Sequence, residues 1–159
     1  MKIIKPNSSD QLVDYNQSNR SIFLAGSIEM GLAEDWQNKV EKIFADYEKI
    51  TIFNPRRDDW DSSWAQDETD PQFNHQVNWE LDRLEESDII FMYFDPNTKS
   101  PITLMELGAF KRQGNMIVCC PKGYWRRGNV QIICTRERIP FYDNIDAAIG
   151  ALRTKLNQQ

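Results

Sequence analysis

Four short runs of apolar residues limit what this chain can fold into: Ser21 to Ala25, Ile50 to Phe53, Ile89 to Phe94 and Asn115 to Cys120. Each is too short for a stable helix, and they are rich in β-branched and aromatic side chains, so each reads as a buried strand. Strands without polar alternation belong to a parallel sheet covered on both faces. The intervening segments supply the cover. Ala33 to Tyr47 spaces Trp36, Val40, Ile43, Phe44 and Tyr47 as one helical face, and Pro71 to Glu86 does so with Phe73, Val77, Leu81 and Leu84. A third helix opens at Ser100-Pro101, with serine as N-cap and proline at the first helical position. Asp143 to Leu156 is the last, capped by Asn144 or Asp143 and turning Ile145, Ala148, Ile149 and Leu152 inward.

Val130 to Cys134 reads as a fifth strand and Ile139 to Tyr142 as a connector. The alternation predicts an α/β fold: a flavodoxin-like, doubly wound, five-stranded parallel sheet in the order 2-1-3-4-5, with helices on both faces. Residues 1 to 20 are polar and read as an irregular lead-in; residues 21 to 159 read as one α/β domain. The net charge of −5 lacks the basic excess of a general nucleic-acid binder. No apolar run is long enough to span a membrane. Cys119, Cys120 and Cys134 make a poor disulfide framework, which fits a reducing, cytoplasmic setting. The single histidine, His75, has no cysteine or acidic partners at ligand spacing, so neither a metal nor a cofactor is expected.

Glu106 is the residue out of place. It lies mid-helix between Met105 and Leu107, with Ile102 and Phe110 four residues to either side. A carboxylate there is ion-paired, solvated in a cleft or working. The topology puts its helix at the switch point between the first and third strands, where ligands bind in such sheets. The strand ends there carry Gly26-Ser27 and Asp95. A glycine and serine directly after a buried strand suit close approach of a ligand, or simply a tight turn. Asn54 closes the second strand, and a loop dense in charge and tryptophan follows, with Arg56, Arg57, Trp60 and Trp64. An indole there can stack on a flat ring and an arginine can meet a phosphate; surface packing and salt bridges are the plainer reading. A second carboxyl, Glu80, borders the apolar stripe of the preceding helix. Two carboxyls suit glycosidic chemistry, one attacking or stabilising the anomeric carbon and one protonating the leaving group. Pairing of Glu106 with Lys111, Arg112 or another cation is the alternative.

Ile-Phe-Leu-Ala-Gly-Ser at 22–27, Asp-Ile-Ile from 88 and Ser-Pro-Ile-Thr-Leu-Met-Glu-Leu-Gly at 100–108 resemble the nucleoside 2-deoxyribosyltransferase superfamily. Members exchange the base of 2′-deoxynucleosides through a covalent glycosyl-enzyme ester; relatives hydrolyse nucleoside 5′-monophosphates. The resemblance implies a deoxyribosyl-transferring enzyme with Glu106 as the nucleophile at C1′; a 5′-monophosphate hydrolase, a nucleotide-binding module without turnover and a partner-binding domain are the alternatives. It implies that Glu80, 26 residues upstream, takes the place of an aspartate that serves the base. Ser100 stands where transferases carry a sugar-binding aspartate and the nucleotide-hydrolysing relatives a serine that contacts the 5′-phosphate. The family's Asp-x-Gly-Thr/Ser run is replaced by Lys-Ser-Pro-Ile-Thr, which places Thr103 in that segment. Gly26, Ser27, Asn54, Arg56, Trp60, Asp95, Ser100 and Thr103 are the expected substrate contacts. The expected partners are a nucleoside or nucleotide substrate and, because family sites are often completed by a neighbouring subunit, further copies of the chain.

Overall fold

The computed structural model describes residues 1–6, 19–28, 33–57 and 63–158. The described residues form one six-stranded parallel sheet with five helices on its faces. In chain order these are β1 (Lys2–Ile4), β2 (Arg20–Gly26), α1 (Trp36–Phe44), β3 (Ile50–Phe53), α2 (Pro71–Glu86) and β4 (Ile89–Tyr93). Then come α3 (Pro101–Phe110), β5 (Met116–Cys119), α4 (Arg127–Glu137), β6 (Phe141–Tyr142) and α5 (Ile145–Asn157). The strand order is β1-β3-β2-β4-β5-β6. The four apolar runs therefore occupy the predicted central order, and the switch point lies between β2 and β4, which pair from Ile22↔Ile89 to Gly26↔Tyr93.

Alternate residues of the central strands feed two cores. On one face Ile22, Leu24, Ile52, Phe91 and Ile117 pack with Trp36, Val40 and Phe44 of α1 and Ala148, Ile149 and Leu152 of α5. On the other, Phe23, Ala25, Phe53, Ile90, Met92 and Val118 pack with Trp79 and Leu84 of α2, Leu107 and Phe110 of α3, and Val130 and Cys134 of α4. The starts of β2 and β4 are clipped together by side chains. The Ser21 amide and hydroxyl both donate to Asp88 Oδ2, at 2.7 and 2.9 Å, and the Asp88 amide donates back to Ser21 Oγ.

Four expectations need correction. Val130 to Cys134 is helical, part of α4, with Val130 and Cys134 buried one turn apart and Ile132 outside. The fifth position of the sheet falls instead to Phe141–Tyr142, within the supposed connector. The reason is topological: two parallel neighbours need a crossover, and α4 is the crossover between β5 and β6. The lead-in is not wholly irregular, because Lys2–Ile4 adds an edge strand beside β3 in the register Ile4↔Phe53. The inner face of α2 is also turned from the expected stripe. Gln76, Trp79 and Leu84 are buried, whereas Leu81 is exposed. Trp79 fills the space between Phe23 and Phe53, its ring centroid 6.2 Å from each.

Helix boundaries follow local chemistry. Helix α2 begins where the Asp70 carboxylate accepts from the amides of Gln72 and Phe73 ahead of Pro71. Helix α5 begins where Asn144 Oδ1 accepts from the Ala147 amide, so Asn144 is its cap. Helix α1 starts at Trp36, three residues later than its apolar spacing suggested, because Asp35 caps it through the Asn38 amide. Among the described residues no helix is long and apolar enough to cross a membrane.

Candidate active site

The turn after β2 is built on Gly26. Its φ of +145° is open to glycine and strained for other residues. A Cβ there would collide with the Tyr93 carbonyl oxygen and stand 2.9 Å from the Tyr93 nitrogen and 3.0 Å from Trp36 Cζ2. The glycine lets β2 run against β4 to its last residue and then turn Ser27 across the strand ends. The Trp36 indole donates to the Ser27 carbonyl at 3.0 Å, which ties the turn to α1.

Ser27, Thr98 and Ser100 form a buried ring of hydroxyls. Ser27 Oγ and Ser100 Oγ are 2.5 Å apart, Thr98 Oγ1 and Ser100 Oγ 2.7 Å, and Thr98 Oγ1 and Ser27 Oγ 3.0 Å. The Asp95 amide donates to Ser27 Oγ at 2.9 Å. Ser100 does hold the N-cap position of α3 and Pro101 follows it, yet its hydroxyl does not cap the helix. A left-handed backbone (φ +45°) turns the hydroxyl toward Ser27 and Thr98 instead. Asp95 is buried and both carboxylate oxygens hold backbone, accepting from the amides of Glu34 at 2.9 Å and Asn97 at 2.8 Å. Its visible work is to fix the two loops that border the switch point.

Glu106 faces inward from the second turn of α3, 8% exposed, with buried Thr103 one turn before it. Among the described residues no cation pairs with it; Lys111 and Arg112 make no such bridge. Burial pushes its carboxyl up to about 8, and the charge of Glu80 adds to the rise. Glu80 reaches the same place from α2. Burial raises it to about 7, against an opposing hydrogen bond from Gln76. A buried carboxyl and a half-buried one thus lie close together, and among the described residues no cation bridges either, an arrangement that costs stability once charged and is typical of working sites.

This pair makes stability depend on pH with a definite sign. Both folded values lie above the ordinary value near 4.5. As pH rises from about 4.5 to about 8 the unfolded chain loses these protons first, so stability falls across that window and the full penalty applies above it. Urea titrations at pH 5 and pH 8.5 are expected to show a loss of a few kcal/mol that the double substitution Glu80→Gln, Glu106→Gln largely removes. A flat profile in the unsubstituted protein would overturn the assignment of two neighbouring carboxyls that the fold holds protonated.

Asn54 and Arg56 sit elsewhere. Asn54 Nδ2 donates to Glu41 at 2.7 Å, and its Oδ1 accepts from the Arg56 amide. Arg56 turns to α1, where it meets Gln37 Oε1, the Glu34 carbonyl and Asp35. With Lys5, Asp35, Asn38 and Glu41 they line a polar cavity of about 260 Å³. This cavity does not include the carboxyl pair. It belongs to the α1 side of the sheet, and its two acids and two cations balance one another. Trp60 falls outside the described residues. Arg57 turns the other way from Arg56, packing over the Trp64 ring at 4.7 Å and reaching Gln76. Three participants were not anticipated from sequence: Thr98, Trp36 as a turn anchor, and Gln76. Only Gln76 carried a signal, its spacing of four residues before Glu80 on a helix.

The family model described as nucleoside 2-deoxyribosyltransferase like matches residues 19–124, which contain β2 through β5 and every group described at the switch point. No curated protein matches the chain.

Proposed function

Because the chain belongs to the nucleoside 2-deoxyribosyltransferase-like family, we propose that it cleaves the N-glycosidic bond of a 2′-deoxynucleoside and passes the deoxyribosyl group to another base. The observation that carries this reading is the pairing of buried Glu106 with half-buried Glu80 at the switch point, with no cation bridging either among the described residues. The reactive form has Glu106 ionised and the proton on Glu80. Glu106 attacks C1′, the C1′–N bond breaks, and its electron pair goes to the base, which takes the proton from Glu80. The product is a glycosyl ester on Glu106. An incoming base then attacks C1′, releases the Glu106 carboxylate and returns a proton to Glu80. Burial raises both carboxyls, so the pair retains a proton toward neutral pH, and the reactive form places that proton on Glu80 and the charge on Glu106. A 2′-hydroxyl would withdraw electrons from the oxocarbenium-like state, so deoxy substrates are favoured.

One observation favours a second reading, hydrolysis of a 2′-deoxynucleoside 5′-monophosphate. Ser100, with Ser27 and Thr98, makes the start of α3 a neutral hydroxyl cluster rather than an acidic one. Hydroxyls near a helix N-terminus suit a phosphate and a carboxylate there repels it. A phosphate would have to take over one of the bonds that the three hydroxyls make to one another.

The test is base release, followed by chromatography, from a panel of deoxynucleosides and their 5′-monophosphates with and without an acceptor base. Exchange products identify transfer, and free sugar or sugar phosphate identifies hydrolysis. Absence of turnover across the panel would sink the enzymatic reading. Ser100→Asp is expected to weaken 5′-monophosphate binding at least about tenfold in calorimetry while leaving nucleoside binding nearly unchanged. Equal affinity in the variant would remove the phosphate subsite.

A further inference from the structure

We infer that Gln76 is a positioning residue for Glu80: its carboxamide, locked in one orientation by Arg57 and Pro55, holds Oε1 of the carboxyl and directs the transferable proton to Oε2. Gln76 is 4% exposed on the inner face of α2, one turn before Glu80. Its Nε2 donates to Glu80 Oε1 at 2.5 Å and to the Pro55 carbonyl at 3.3 Å. Its Oε1 accepts from Arg57 Nη1 at 3.5 Å.

These partners leave the amide no choice. A guanidinium only donates and a peptide carbonyl only accepts. Turning the amide over would set its oxygen against the Pro55 carbonyl and its NH₂ against Arg57. The NH₂ group is therefore always the face shown to Glu80. An oxygen that accepts this bond is a poor place for a proton, so when Glu80 is protonated the proton resides on Oε2. A carboxyl that carries its proton on a fixed oxygen needs no rotation before it serves a leaving group. The lock also runs outward. Arg57 lies over the Trp64 ring in the segment that leads to α2, so the segment before the helix and the acid on it share one chain of contacts.

Among the described residues, the charged groups around Glu80 are few. Glu106 faces it from α3. Arg57 stands behind Gln76, in the segment after β3. Arg83, one turn along α2, is taken up by the Phe53 ring and Glu86. Among the described residues Gln76 is the neutral donor that bonds the carboxyl directly, and its hydrogen bond favours the ionised form.

The role of the proton rests on the proposed glycosyl chemistry; the positioning of Glu80 does not, and the experiment separates the two. The Glu80 carboxyl is titrated by ¹³C NMR in glutamate-labelled protein, with its signal assigned by Glu80→Gln. Gln76→Met, which keeps the length and removes the donor, is expected to shift the Glu80 titration upward by about one pH unit. Gln76→Glu keeps the size and the Arg57 contact but sets an acid beside the acid, and is expected to shift it further. The same variants are expected to lose kcat about tenfold with KM nearly unchanged, and the matching limb of the pH–rate profile should follow the NMR shift. An unmoved Glu80 titration in either folded variant overturns the inference. A moved titration in a protein that releases no base leaves Gln76 as the positioning residue and removes the glycosyl reading alone.

Discussion

Glu106→Gln is expected to abolish base release, by roughly 10⁴-fold or more, with the fold intact. An amide keeps the size and polarity of the carboxyl but cannot form the ester at C1′. Substrate binding should change little, because the loss falls on a bond made in the reaction rather than in the ground state. The thermal midpoint is expected to hold or rise above pH 7, since the substitution removes an acid that burial and Glu80 hold near 8. Opposite signs for activity and stability are the mark of a strained working group. The measurements are single-turnover base release and a melting curve on the same preparation. Turnover equal to that of the unsubstituted protein would leave the mid-helix acid without a catalytic role. A fall in both quantities would instead mark Glu106 as a structural residue.

Gly26→Ala is expected to be the most destabilising single methyl in the sheet, at about 3–5 kcal/mol. Two costs add. The backbone at φ +145° is strained for any residue with a Cβ, and the methyl would run into the Tyr93 carbonyl and the Trp36 ring. Neither obstacle is the loose end of a flexible side chain; one is the neighbouring strand, and the other is a fully buried indole held by the Ser27 carbonyl. For a chain of this length the loss corresponds to a fall of about 10–15 °C in the melting midpoint. Equilibrium urea unfolding gives the direct reading, and a change below about 1 kcal/mol would show that the turn relaxes easily. Because Gly26 positions Ser27, surviving activity should fall as well.

Much of the sheet was legible because its signal is local. A run such as Ile89 to Phe94 admits few structures other than a strand buried on both faces, and the segment Pro71 to Glu86, read as a helix, is one over those residues. The segment 130–134 was not legible. Val-Gln-Ile-Ile-Cys satisfies a strand by composition and one helical turn by the spacing of Val130 and Cys134, and only the need to cross from β5 to a parallel β6 separates them. The edge strands β1 and β6 are three and two residues long, too short to leave a pattern. The turn of α2 by which Trp79, not Leu81, enters the core depends on the gap between Phe23 and Phe53, a property of the packed sheet.

The same division runs through the site. The sequence by itself determined that an acid sits on the helix leaving the third apolar run, that a glycine and serine end the first, and that the order of elements brings them to one edge. Those statements depend on covalent order and on periodicity, which a chain carries before it folds. Tertiary structure decided what each group does there. It brought Glu106 and Glu80 together with no bridging cation among the described residues, engaged both oxygens of Asp95 with backbone amides, and turned the Ser100 hydroxyl from helix capping to a ring with Ser27 and Thr98. It sent Arg56 toward α1 and Arg57 toward Gln76, two neighbours in sequence with different partners. Burial, partner choice and proton affinity arise when distant segments exclude water from one another, so they depend on contacts that no local stretch of this sequence contains.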